Sequence, residues 1–347
     1  MKDHKKPSDV LDHCRQTFNA EPGNPDALSG YIRQLAIMGK VVELRAIAPT
    51  RIKAAIRKCR EMALSDADMP RALYRIAEFM QVLGSKEEVA SLETFALAVR
   101  QTQTPTELKR ALYGVSLLAK FMPDRQDIEC ARRFLFAALR GRFEKAVVSR
   151  GFKSPKARAI KGSGPFIIVA GGCAPEFEMN PYRELLDKAF SFFKGVIVSG
   201  GTVQGISGLV GELAAKSKGR IRAIGYLPPV LPKDNTASLD ARYSELRKTD
   251  SKRFFSATEA VQVWLDLLAS GVKPSEVRLL GLNGGAIAGL EYCFALALGA
   301  QVGLISNSGR AAGRLTRKLT PRVNDNLLIL PPDPVVILSF LCCDSKT

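Results

Sequence analysis

The chain has 347 residues, 46% of them hydrophobic, and its 51 Lys and Arg against 34 Asp and Glu give a net charge of +17. That length admits two domains and a sizeable core, and no run of 18 apolar residues is present to span a membrane. The start, MKDHKKPSDVLDHC, lacks the apolar segment of a secretory leader, and seven scattered cysteines without C-x-x-C spacing suit a reducing cytosol better than a disulfide framework.

From the N-terminus, the first half reads as helix throughout. Helices are expected over residues 8–18, 26–38, 41–64, 70–83, 86–100, 106–121 and 127–148. Pro25-Asp26 and Pro70 sit at helix starts, where a missing N–H costs nothing. Gly39 and Gly84 sit just past helix ends. Thr104-Pro105-Thr106-Glu107 combines a capping residue, an early proline and an acidic first turn. Leu73, Ile76, Ala77, Met80 and Leu83 recur at helical spacing. Short helices joined by tight turns predict a helical-repeat domain over 1–148, tetratricopeptide- or HEAT-like, although no strict period is visible. The charge is concentrated here: residues 1–162 carry 30 Lys and Arg against 18 Asp and Glu. A basic face suits nucleic acid or an acidic protein partner. The absence of a zinc pattern and of an aromatic RNA-binding motif makes nucleic acid the lesser reading.

Residues 149–164, SRGFKSPKARAIKGSG, are basic, rich in Gly, Ser and Pro, and read as a linker. An α/β domain is expected from 165 to 347. Apolar, β-branched runs predict strands near 166–170, 195–198, 221–226, 277–282, 302–305 and 327–330, with helices between most of them. That alternation predicts a Rossmann-like, doubly wound parallel sheet. The stretch 227–256, with Pro228, Pro229, Pro232 and Tyr243, is expected to be a long excursion over the site and not a core element. Both histidines, His4 and His13, precede this half. It therefore has no imidazole for a Ser-His-Asp triad and no histidine metal ligand.

Three of the expected strands end in glycine turns. Gly171-Gly172 follows the first. Ser199-Gly200-Gly201-Thr202 follows the second and leads through Gly205 into a helix. Asn283-Gly284-Gly285 follows the fourth and leads into a helix at Ala286. A strand that turns through glycines into a helix N-terminus presents unpaired amides and a favourable dipole to an anion, and glycine removes the Cβ that would hold a phosphate away. Each pair is also compatible with plain strand–helix packing. Ser308 and Arg310, after the fifth strand, add a hydroxyl and a bidentate cation; for Arg310 a solvated loop position is the alternative.

Together, VAGGCA (169–174), VSGGTVQGISGLVGE (198–212) and LNGGAIAGLEYCFALALGA (282–300) resemble the SLOG superfamily, in the flavour of the N-terminal domains of melastatin-type TRP channels and their prokaryotic relatives. The resemblance implies a Rossmann-like domain for a nucleotide-derived signal such as ADP-ribose, cyclic ADP-ribose or an NAD-like molecule. No further cofactor and no metal is implied, and a second copy or a separate effector protein would be the partner. The LOG enzymes of the superfamily instead cleave nucleoside monophosphates to base and ribose phosphate, so a phosphoribohydrolase or N-glycosidase is the alternative. Their pattern P-G-G-x-G-T-x-x-E falls on Asn283 to Glu291, with Asn283 in place of Pro and Ile287-Ala288 in place of Gly-Thr. Glu291 would be the catalytic carboxylate of an enzyme or a ligand to the ribose of a sensor. It is also a residue that a helix N-terminus favours for its dipole.

Overall fold

The computed structural model describes residues 7–65, 68–143, 154–162, 164–172, 179–231, 238–252, 254–318 and 326–342. His4, residues 144–148 of the last expected helix of the first half, residues 149–153 and 163 of the expected linker, Pro232 and Cys343 lie outside them. By its contacts the chain divides into two units, Met1–Leu139 with Phe143–Ser154, and Arg140–Arg142 with Pro155–Thr347. No helix among the described residues is long and apolar enough to cross a membrane.

The first unit is helical: α1 (Pro7–Ala20), α2 (Pro25–Ile37), α3 (Val41–Arg45), α4 (Pro49–Leu64), α5 (Met69–Leu83), α6 (Glu88–Gln101), α7 (Pro105–Phe121) and the start of α8 (Gln126–Arg142). Its helices begin as the sequence reading expects. The Asn24 side chain accepts from the Asp26 amide at 2.8 Å, and Pro25 opens α2. Gly84 closes α5 at φ 126°, a conformation that a Cβ disfavours. The helix expected over 41–64 is instead two helices. Pro49 forces Ala48 out of helical geometry (ψ 125°) because the proline ring crowds the preceding residue, and a new helix starts on the proline itself. Leu73, Ile76, Ala77 and Met80 are buried on α5, as are Phe79 of the same helix, Phe95 of α6 and Leu28 of α2. Full burial of each large aliphatic or aromatic side chain contributes about 1.5–3 kcal/mol.

The second unit is an all-parallel sheet of seven strands: β1 (Phe166–Gly171), β2 (Gly195–Ser199), β3 (Ile221–Leu227), β4 (Glu245–Lys248), β5 (Val277–Leu282), β6 (Gln301–Ile305) and β7 (Leu327–Leu330). Their spatial order is β4-β3-β2-β1-β5-β6-β7. The register sets Phe166 beside both Val196 and Val277, so β1 is the centre from which the chain builds outward in two directions. Residues alternate between the two faces. Ile167, Val169 and Ile197 join a core with Leu186 of α9 (Asn180–Ala189) and Phe190 just past its end, Leu209 of α10 (Gly205–Lys216) and Ile337 of α14 (Pro334–Cys342). The opposite face receives α11 (Ala257–Ala269) and α12 (Ala286–Leu298), with α13 (Arg310–Lys318) beside α12 and β6.

β4 corrects the expectation that 227–256 lies outside the core. ELRK has no apolar run, but the strand sits at the sheet edge and its one long inward charge is fully paired. Arg247, 6% exposed, donates to Asp266 Oδ2 at 2.6 Å and to the carbonyls of Arg158 (2.6 Å) and Ala159 (3.1 Å). Asp266 also accepts from Tyr226 Oη at 2.8 Å and from the Arg158 amide at 2.9 Å. A buried ion pair tolerates its desolvation only when its remaining lone pairs and protons are satisfied in this way.

Candidate functional site

Strand order reverses between β1 and β5. The chain runs from β1 through β2 and β3 to β4, then returns to the other side of β1. In an open parallel sheet the helices leave such a switch point in opposite directions, and a crevice opens at the carboxyl ends of the strands. A cavity of about 470 Å³ occupies that place. Ile168 and Val198, partners in the β1–β2 register, lie on its wall.

Gly171 and Gly172 carry β1 out along the wall. A Cβ on Gly171 would stand 2.5 Å from Ile206 Cγ1 and 2.6 Å from the Leu282 carbonyl oxygen, so this position is fixed by close packing. Ser199, Gly200 and Thr202 carry β2 out beside it. At the start of α10 one first-turn amide is engaged by protein, that of Ile206 with the Gly172 carbonyl at 3.2 Å, and in the turn before it the Thr202 amide donates to Ser207 Oγ at 2.9 Å. Ser207 Oγ also lies 3.0 Å from Tyr243 Oη.

α12 begins differently. Its cap residue, Gly285, has no side chain to offer the first-turn amides, and those amides have no intrahelical acceptor. Gly285, Ala286, Ile287 and Ala288 all line the cavity, as does Arg310 at the start of α13. Glu291 lies one turn further along α12, four residues from Ile287 and on the same face. The helix start thus offers an anion a positive dipole end, open amides and a neighbouring guanidinium.

Five of the expected residues do not line the cavity but hold its turns. Gly201 (φ 74°) lies against β3, where a Cβ would stand 3.0 Å from Gly225 Cα, and Gly205 opens α10 at φ 63°. Asn283 is left-handed (φ 55°) and buried, and its amide donates to Ser308 Oγ at 3.0 Å. Ser308 Oγ in turn donates to the Ile305 carbonyl at 2.7 Å. The amides of Ala311 and Ala312 donate to the carbonyls of Gly284 (3.0 Å) and Asn283 (2.9 Å). Asn283, Gly284 and Ser308 therefore fasten the start of α13 beside the start of α12, which sets Arg310 on the wall. Asn283 Oδ1 is buried and has no hydrogen-bond partner among the described residues.

Facing α12, the start of α11 contributes Phe255, Ser256, Glu259 and Val263, which sequence reasoning missed, and β3 contributes Tyr226. A signal was present. Ser256-Ala257-Thr258-Glu259 spells a capping box, and the structure forms it: the Ser256 amide donates to Glu259 Oε2 at 2.8 Å. Thr249 Oγ1 donates to Glu259 Oε1 at 2.5 Å. Burial nonetheless pushes the Glu259 carboxyl above the usual carboxylate range, against the pull of these bonds. Glu291 is pushed up to about 8, chiefly by burial and then by the charge of Glu259. Two carboxyl groups in one cavity that resist joint ionisation leave a proton available near neutral pH.

No protein-family model matches the chain, and no curated protein matches it. Among solved structures it is similar to TM1055, an X-ray structure from a structural-genomics consortium, at 16% identity and a TM-score of 0.37, over 51% of this chain and 98% of that one.

Proposed function

We propose that the α/β unit binds a nucleotide-derived signal, of the ADP-ribose, cyclic ADP-ribose or NAD-like class that the SLOG-like motifs imply. The observation that carries this reading is the uncapped start of α12 opening, with Arg310, into a cavity at the switch point of the sheet. Phosphate oxygens take the amides of Ala286 to Ala288 and the Arg310 guanidinium. Ribose hydroxyls meet Glu291, which both donates and accepts near neutral pH. The base lies toward the apolar and aromatic side formed by Ile168, Val198, Tyr226 and Phe255. The helical unit, read as repeat-like, is proposed to engage a second copy or a separate effector. Calorimetry of the full chain against a nucleotide panel tests this reading; absence of saturable binding by every member refutes it.

A second reading, cleavage of the N-glycosidic bond of a nucleotide, is favoured by one observation, the Glu291 carboxyl pushed up to about 8 beside Glu259. A protonated carboxyl there is suited to give its proton to a departing base while water adds at the anomeric carbon. Chromatography after long incubation separates the two readings. Full recovery of the ligand supports a sensor, and free base whose release is lost in Glu291→Gln supports an enzyme.

A further inference from the structure

The α/β cavity is charged in two opposite senses. At one end the start of α12 and Arg310 present positive charge. One turn further along α12, and facing it from α11, stand two carboxyl groups, Glu291 and Glu259. The ionisable side chains on the wall are thus two acids and one arginine, with Tyr226 kept neutral by burial.

The two acids differ. Glu259 is engaged on both oxygens, by the Thr249 hydroxyl and by the Ser256 amide and hydroxyl. Such bonds favour the charged carboxylate. Glu291 makes no hydrogen bond and no ion pair among the described residues. Its oxygens are not sealed within protein, so they face the cavity. Of the elements packed against α12, β1 and β6 carry no ionisable side chain. Arg278 of β5 turns to the Leu341 carbonyl, and Glu276, just before β5, to the Lys273 amide. Arg314 and Arg317 of α13 do not line the cavity. An acid with no protein partner on a cavity wall marks where a ligand's own donor or positive charge belongs. A ribose hydroxyl satisfies one oxygen of Glu291 but leaves the repulsion from Glu259 in place; a positive charge offsets both. Phe255, half-buried and one residue before Ser256, adds an aromatic ring to the same stretch of wall, a surface that suits a cation.

We propose that the ligand of this cavity is a nucleotide whose phosphates lie at the α12–Arg310 end and whose ring, beyond the ribose at Glu291, is cationic: an N-substituted pyridinium, as in oxidised nicotinamide nucleotides. This rests on the nucleotide reading above and narrows its class. The positive nitrogen of such a ring is the one bonded to ribose, so it comes within reach of a carboxylate that holds the ribose. Glu291 keeps its proton to about pH 8, and an opposite charge within about 4–6 Å lowers a carboxyl by about 1–3 units. Binding at pH 7 therefore releases a proton.

Calorimetry of the full chain at pH 7 with oxidised NAD, NADH and ADP-ribose, repeated in two buffers of different ionisation enthalpy, tests the proposal. Oxidised NAD is expected to bind at least about tenfold more tightly than NADH and to release most of a proton, whereas NADH and ADP-ribose release none. Glu291→Gln, which keeps the shape without the charge, is expected to bring the affinities for oxidised NAD and NADH together and to abolish the proton release. If that variant unfolds, the affinity ratio and proton release of the unaltered protein decide. Oxidised NAD bound no more tightly than NADH, binding without proton release, or a preference retained in folded Glu291→Gln overturns the proposal, and bound ADP-ribose then leaves the nucleotide reading standing. Binding of none of the three overturns it as well, and the wider nucleotide panel then decides the parent reading.

Discussion

Replacing Glu291 by glutamine tests the electrostatics of the α/β cavity directly. The folded protein holds the Glu291 proton to about pH 8, whereas the unfolded chain releases it near 4.5. Between those values unfolding releases a proton, so stability falls as pH rises; below 4.5 the effect is absent and above 8 it is complete. At about 1.4 kcal/mol per unit the shift sets a ceiling of roughly 5 kcal/mol, and because the half-buried side chain keeps some contact with water we expect about 2–3 kcal/mol. The glutamine keeps the shape and cannot ionise, so the variant should lack this slope and gain stability over the unaltered protein as pH is raised from 5 to 9. Glu259 contributes its own slope of the same sign to both proteins and largely cancels in the comparison. Trp264, the single tryptophan and buried on α11, makes the assay specific, since its fluorescence reports the α/β unit alone. Urea unfolding followed at 5, 7 and 9 reads the difference. A gap between the two proteins that stays constant over that range refutes the reasoning.

The remaining expectations follow from packing and placement. A Cβ on Gly285 meets nothing within 4 Å, so Gly285→Val should cost only the difference between glycine and valine at a helix cap, about 1 kcal/mol. By crowding the start of α12 it should cost at least about tenfold in nucleotide affinity by calorimetry; undiminished affinity would remove α12 from the phosphate site. Asp266→Asn removes the charge that pairs Arg247 in the interior and should cost about 3–5 kcal/mol in urea unfolding followed by Trp264. A loss below about 1 kcal/mol would show the pair to be dispensable. A fragment beginning at Pro155 contains every residue of the α/β cavity and should keep the affinity of the full chain; a folded fragment that fails to bind would place part of the site elsewhere.

Most of the α/β fold was legible because its strands are buried on both faces, and such strands must be written as apolar β-branched runs. The runs FIIVA, GVIV and VRLLGL name β1, β2 and β5 almost to the residue. β4 was not legible, because an edge strand needs no such run and its buried charge, Arg247, is tolerated only through partners 19 and 89 residues away in sequence, Asp266 and Arg158. Pro49 stands in the sequence, and the division of the helix expected over 41–64 follows from it. In the site, glycine turns were legible because close backbone approach excludes other residues. Their division of labour was not. Gly201, Asn283 and Ser308 look like ligand residues in the sequence, and only the close approach of Gly201 to β3 and the hydrogen bonds of Asn283 and Ser308 across β5, β6 and α13 show that they hold the turns. Glu259 faces Glu291 only because α11 and α12 pack together, a long-range adjacency that no local pattern encodes.

The central claim is that the cavity at the switch point takes a nucleotide-derived ligand. Thermal unfolding of the full chain followed by Trp264, with ADP-ribose, cyclic ADP-ribose, NAD and AMP each added over a range of concentrations, tests it most directly. A ligand at a hundred times its dissociation constant stabilises the folded state by about 2.7 kcal/mol. The account predicts a concentration-dependent rise in the transition temperature with at least one of the four, absent in Gly285→Val. No shift with any of them, or an equal shift in Gly285→Val, would contradict it.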